Sequence, residues 1–224
     1  MAVKYPDSDG VVYKYVTDTW ANVRNASSGT LNTNSSYNIQ NAHTSGRGGD
    51  TYNVGRYFIL FDTSDIEDTL GSATLNIYGN GETDLDVIVL QGSQIDGGSV
   101  ASTDFEKIDN ASTPLGNSDG SGAGTFAGTS VVEYSSVVTT WSATGYNKFT
   151  LNSEALEFMV DEDNMLIVII GYHYDYLDMA PSSITPQIGF HQDSYSGTSR
   201  DPYIEYLPPS ADNSVFFGCN FWNL

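Results

Sequence analysis

The chain has 224 residues, with 28 acidic against 8 basic, and so a formal charge of −20 at neutral pH. A surface this negative repels a phosphate backbone and has no basic stripe to release counterions, which excludes nucleic acid as a partner and assigns the charge mainly to solubility. A single cysteine, Cys219, excludes an internal disulfide, and 22 glycines with 15 tyrosines predict many short strands joined by turns rather than long helices.

A chain of this length buries roughly 70% of its unfolded surface and is expected to form one domain. The N-terminus, MAVKYPDSDGVVYKYV, lacks the charged start and apolar core of a secretory signal, and with its initial Met it is expected not to be exported by that route. The longest apolar run, Met165 to Ile170, is too short to span a bilayer, so a soluble chain without a membrane partner is expected. Residues 1–17 read as an N-terminal arm and first strand, 18–207 as a sandwich domain and 208–224 as an aromatic tail.

In chain order, VVYKYV (11–16), TWANVR (19–24) and SYNIQ (36–40) read as strands. Tyr57 to Phe61 is apolar on both faces, which predicts a central strand. Asp62 and Ser64 are expected to close that strand by accepting turn N–H groups. In SATLNIY, Ala73, Leu75 and Ile77 alternate with Thr74, Asn76 and Tyr78, the period of a strand with one buried face. GNGET (79–83) then predicts a hairpin connection into DLDVIVLQG. Residues 109–130, poor in core formers, read as a long loop. SSVVTTWS is expected to form a helical turn with Val137 and Trp141 on one side. SEALEFMVDEDN is expected to form a short amphipathic helix with Ser153 as N-cap and Leu156, Met159 and Val160 on its apolar face. MLIVIIGY, PQIGFHQ and PYIEYL supply the last strands. The fold class is all-β: an antiparallel, jelly-roll-like β-sandwich of about nine or ten strands with one or two helical turns. Phe58, Leu60, Leu75, Ile77, Leu166 and Val168 are expected in its core.

Catalytic patterns are missing from the sequence. His43, His173 and His191 lie in separate segments without zinc-binding spacing, no Gly-x-Ser-x-Gly elbow occurs, and Cys219 has no nucleophile motif. The 28 carboxylates are too many to single out an acid–base pair. Asp62, Asp65, Glu67 and Asp68 lack the ligand spacing of a Ca²⁺ loop, and DSDG (7–10) fails the same test, so no cofactor is expected and Ca²⁺ is at most a modest stabiliser.

RYFILFDTSDI, GSATLNIYG, TTWSATGYNKFTL and FHQDSYSGTSRDPYIEYL together resemble the successive signatures of DNRLRE-type β-sandwich (jelly-roll) domains, across about Asp18 to Leu207. The most specific elements are Phe-Asp-x-Ser at Phe61 to Ser64, Ser-Ala-x-Leu at Ser72 to Leu75, and Pro-x-Ile at Pro202 to Ile204. The resemblance implies the sandwich fold, found both in virion proteins and in modules related to carbohydrate binding, and carries no activity of its own.

The tail, PPSADNSVFFGCNFWNL, crowds Phe216, Phe217, Phe221 and Trp222 behind Pro208 and Pro209, which stop the last strand. Such side chains pack either on their own sandwich or on another subunit, where aromatic anchors carry most binding energy. The expected function is a non-enzymatic virion structural protein, a phage head decoration or a head or tail fibre subunit, whose partners are its own copies and other virion proteins on the virion surface. The alternatives are a carbohydrate-binding module, with glycans as partners, or a cell-surface adhesin or filament subunit outside the cell.

Overall fold

Among the described residues eleven strands form, in chain order: β1 (Ala2–Lys4), β2 (Ser8–Thr17), β3 (Thr30–Asn32), β4 (Ser36–Gly46), β5 (Gly49–Asp62), β6 (Ser72–Thr83), β7 (Val87–Gln91), β8 (Tyr146–Thr150), β9 (Asn164–Gly171), β10 (Gln187–His191) and β11 (Tyr203–Leu207). Among the described residues two α-helices, α1 (Trp20–Arg24) and α2 (Ser153–Asp161), a 3₁₀ turn (Ser102–Glu106) and a π turn (Tyr172–Tyr176) complete the secondary structure. This computed structural model describes residues 1–93, 98–108, 126, 131–182, 185–194, 196–197 and 199–208.

All strand pairs are antiparallel, and their pairing is continuous through one sheet that folds into two faces. One face runs β3-β2-β5-β9-β7. The other runs β1-β11-β6-β8, extended by β10 along the second half of β6. Strand β4 joins the faces: its residues 36–40 pair with β10, and from Asn41 onward it pairs with β5. The result is the expected antiparallel sandwich.

Between the faces lies a core of Tyr57, Ile59, Phe61, Ile167 and Ile169 from one side and Leu75, Ile77, Phe149, Ile188, Phe190 and Ile204 from the other, closed at one end by Met159 of α2. A second core covers the back of β5 and β9, where Phe58, Leu60, Leu166, Val168 and Ile170 meet Trp20 and Val23 of α1, Phe105, Phe126 and Tyr176. The double-faced apolarity of Tyr57 to Phe61 follows from this: β5 is a middle layer. The six expected core residues are all buried but divide between the two cores, Leu75 and Ile77 in the first and the other four in the second.

The covering layer is fastened by buried charge. Arg56 donates from Nε and Nη2 to both oxygens of Asp175, at 2.7 and 2.8 Å, and from Nη1 to the Phe105 carbonyl at 2.6 Å. Arg24 Nε donates to the Asp175 carbonyl at 2.8 Å, and Arg56 Nη2 donates to the Arg24 carbonyl at 2.9 Å. Arg24, Arg56 and Asp175 are fully buried, and the guanidiniums stack on Phe126 and Phe105. Burial lowers the Arg24 pKa, with the Asp175 charge opposing. β5, α1, the 3₁₀ turn and the π turn thus share one bidentate ion pair, an arrangement that only guanidinium geometry allows.

Four sequence expectations are corrected. TWANVR is helix α1, because Thr19 Oγ1 accepts from the Asn22 N–H and Asp18 Oδ1 accepts from the Thr19 N–H, so local capping outweighs the β-propensity of Trp and Val. GNGET is no hairpin: it continues β6 and pairs with β10, the chain turns at Asp84 (φ +44°), and β7 pairs with β9. SSVVTTWS forms no helical turn, and Val137 and Trp141 pack against different cores. The α2 N-cap is Asn152, whose side chain accepts from the Ala155 N–H at 3.1 Å, and Ser153 is the first helical residue.

Candidate docking surface

On β6 the core takes Ala73, Leu75 and Ile77, so Thr74, Asn76 and Tyr78 point away from it. Register then fixes what stands beside them. Tyr146 of β8 lies directly opposite Tyr78, and Tyr203 of β11 lies opposite Asn76. The rings make a continuous run: Tyr5 to Tyr203 at 6.1 Å between centroids, Tyr203 to Tyr146 at 5.1 Å, Tyr146 to Tyr78 at 5.2 Å, and Tyr78 to His191 at 5.6 Å. The contacts are edge-on or tilted, the favoured geometry of aromatic pairs.

Two hydroxyls of this run are spent on the backbone. Tyr78 donates to the Thr144 carbonyl at 2.9 Å, and Tyr146 to the Ser199 and Asp201 carbonyls at 3.1 and 3.3 Å. Arg200 lies over the Tyr78 ring at 5.0 Å, with Nη1 3.2 Å from His191 Nε2. Burial, then the Tyr203 neighbour, raises the Tyr146 pKa to about 12, and burial followed by Glu205 raises that of Tyr203. Burial lowers the His191 pKa, and the neighbouring Arg200 charge acts in the same direction. The run is therefore an aromatic stripe with the Arg200 guanidinium over Tyr78 at one end and Glu205 beside Tyr203.

Its margin is apolar as well. Met1, Val3, Tyr5 and Leu207 are 78%, 45%, 50% and 38% exposed, and they stand together because Val3 pairs with Glu205 and Ala2 with Tyr206 along β1 and β11. β1 is a three-residue edge strand. Short edge strands resist unwanted pairing, so contact here falls on the face, through side chains. Glu205 stands opposite Val3 and exposed Lys148 opposite Asn76, so the exposed apolar part of the face is its margin of Met1, Val3, Tyr5 and Leu207, and exposed apolar patches mark interaction sites.

The tail residues Phe216, Phe217, Phe221 and Trp222 lie outside the described residues, as does the 109–130 loop except for Phe126, which is buried in the second core. Asp62 Oδ1 accepts from the Ser64 N–H at 2.9 Å and from its hydroxyl at 2.6 Å, the turn-closing role expected of it, and these bonds lower its pKa. Asp65 is ion-paired with Lys4. His43 stacks on Tyr52 and meets Asp50 at 3.2 Å, while His173 contacts Asp86 at 2.9 Å, so the three histidines occupy separate places. A depression of about 240 Å³ beside α2 is lined by Leu70, Leu156, Val160 and the acidic Glu157 and Asp161.

Asp9, from the DSDG segment set aside in the sequence, is 3% exposed. Its Oδ2 accepts from the Tyr57 hydroxyl and from the Asp193 N–H at 3.1 Å. Burial first, then the adjoining Asp193 carboxyl, pushes its pKa up to about 8. Among the described residues no group of three or more His, Cys, Asp or Glu is gathered as a metal centre, and no helix is long and apolar enough to cross a membrane. No protein-family model and no curated protein matches the chain.

Proposed function

We propose that the chain is a non-enzymatic structural subunit of a particle surface, of the virion decoration or fibre class, that attaches through the aromatic outer face of its β1-β11-β6-β8 sheet. The occupant proposed for that face is the aromatic C-terminal segment of a neighbouring copy, with Phe216, Phe217, Phe221 and Trp222 as anchors. The observation that carries this reading is the stripe of Tyr5, Tyr203, Tyr146 and Tyr78 bordered by exposed Met1, Val3 and Leu207. Leu207 also ends the last described strand on this face, so the segment that follows starts beside the surface it is proposed to fill in the next subunit.

Charge supports an apolar contact. Two copies, each with a formal charge of −20, repel one another, so self-association has to draw on apolar burial, and salt should strengthen it. The resemblance to DNRLRE-type domains fits a display role, since that fold is used as a scaffold for surface contacts. A synthetic peptide of residues 210–224 tests the reading directly. It should bind a chain ended after Pro208 and lose binding when Tyr5 and Tyr203 are replaced by Ser; equal binding to the replaced surface refutes the assignment.

A glycan is the second reading, favoured by the tied-back hydroxyls of Tyr78 and Tyr146, which leave ring surface for stacking against sugar rings. Saturable oligosaccharide-dependent quenching of tyrosine fluorescence, lost in the same Tyr5 and Tyr203 replacements, would select it over the peptide.

A further inference from the structure

The two ends of β5 carry complementary features that lie apart from the tyrosine stripe. At one end β4 turns into β5 where Gly46 pairs with Gly49, and the three glycines around Arg47 leave it the one large side chain of the tip. Arg47 is exposed, and among the described residues its guanidinium has no partner. Asp50 beside it is taken by the Ser45 hydroxyl at 3.0 Å and by His43 at 3.2 Å. At the other end α2 is tied to the close of β5 through Thr63, whose N–H donates to the Asp163 carbonyl at 2.8 Å and whose hydroxyl donates to the Glu162 carbonyl. The 14 residues of β5 separate the two features by roughly 45 Å at the rise of a β-strand.

The α2 end holds the depression of about 240 Å³, with Leu70, Leu156 and Val160 as its apolar lining and Glu157 and Asp161 exposed on its rim. The two carboxylates are one turn apart on α2, a like-charge pair at i and i+4. Asp161 also ends the helix, where the dipole is negative and no basic residue occupies the last turn. Within the chain both features are unfavourable, and among the described residues no Lys or Arg pairs with either carboxylate: Lys4 is held by Asp65, in the turn that precedes Leu70. An apolar floor under a rim of two carboxylates suits a side chain with an apolar stem and a planar cationic head, which is arginine.

We infer that the occupant of this depression is a second copy of the chain: the Arg47 tip of one copy seats in the α2 depression of the next, its stem on Leu70, Leu156 and Val160 and its guanidinium between Glu157 and Asp161. Because tip and depression sit at opposite ends of one strand, the contact is head-to-tail and repeats from copy to copy, closing into a ring or running on as a filament. Exposed ion pairs are weak, so the contact aligns copies that are already crowded together and does not hold dilute chains to one another. It uses no residue of the tyrosine stripe and stands whether or not that face docks a partner.

The test uses the full-length Tyr5→Ser/Tyr203→Ser chain at millimolar concentration in about 0.1 M salt, which screens the long-range repulsion between the negative chains while touching charges still attract. Static light scattering reads weak attraction between copies. Adding Arg47→Glu should make the chains more repulsive than adding Lys148→Glu, an equal change of charge at an exposed lysine of β8. Carbodiimide treatment of an equal mixture of isotope-labelled and unlabelled Arg47→Lys chains should join the introduced amine to Glu157 or Asp161 of the other isotope. The products should form a ladder of dimers, trimers and longer chains, should exceed several-fold those that Lys148 forms with the same two carboxylates, and should fade in about 1 M salt. Equal scattering from the Arg47→Glu and Lys148→Glu chains overturns the inference. So does the absence of links from position 47 to Glu157 or Asp161, or links from Lys148 to them that are as frequent, since that describes diffuse attraction to an acidic surface. None of these results bears on the tyrosine face, which is removed from both measurements.

Discussion

Replacing Asp175 by Asn removes the one charge that both buried guanidiniums share. The carboxylate receives two Arg56 bonds at 2.7 and 2.8 Å and lies 3.3 Å from Arg24 Nε, with all three residues fully buried. Asparagine keeps the volume and one acceptor, but it leaves Arg56 charged and uncompensated in a site closed to water. Breaking a buried pair from one side costs about 3 to 5 kcal/mol. For a chain of this size that corresponds to a fall in melting temperature of roughly 6 to 20 °C. Thermal unfolding followed by circular dichroism reads the shift. A companion Arg56→Leu/Asp175→Leu variant separates charge from packing: with the pair removed together it should lose less than the sum of its two single replacements. An Asp175→Asn protein that melts within about 1 °C of the parent would refute the reasoning, because the pair would then contribute little to holding the covering layer.

Melting followed from pH 4 to pH 8 in chelator should show a contribution from Asp9 that falls with rising pH. Its pKa of about 8 in the folded chain, against 3.8 when unperturbed, means that the native state retains a proton the unfolded state has released, so the folded state loses up to about 1.4 kcal/mol per pH unit across this window. The comparison with Asp9→Asn isolates that slope from the opposite contribution of His191; a parent less steep than the variant contradicts it. Gly79→Ala should cost about 3 kcal/mol or more, because an added Cβ would sit 1.8 Å from the Ser142 carbonyl oxygen, and the displaced 142–145 segment should also release the Tyr78 hydroxyl from Thr144; a well-folded variant with unchanged melting contradicts the packing described.

The local alternation of β6 and the double apolarity of β5 were legible in the sequence because each strand carries its own burial record every second residue. What the chain stacks on the back of β5 was not, since Arg56 and Asp175 are 119 positions apart and nothing near either announces the other. TWANVR misled because Trp and Val favour strands while the deciding feature, the Asp18–Thr19 cap, occupies only two residues. The burial of Asp9 was not legible either, since its neighbour Asp193 lies 184 positions away. The tyrosine stripe needs four segments in register, and its one sequence trace is that Tyr78, Tyr146 and Tyr203 each occupy an outward position of a strand.

Sedimentation equilibrium across a range of salt concentrations, on the full chain and on a Tyr5→Ser/Tyr203→Ser variant, tests the proposed docking face most directly. The account predicts that the parent self-associates, more tightly as salt rises, while the variant stays monomeric and melts at nearly the parent temperature. A parent that remains monomeric at every salt concentration, or a variant that associates equally well, would contradict assembly through this surface.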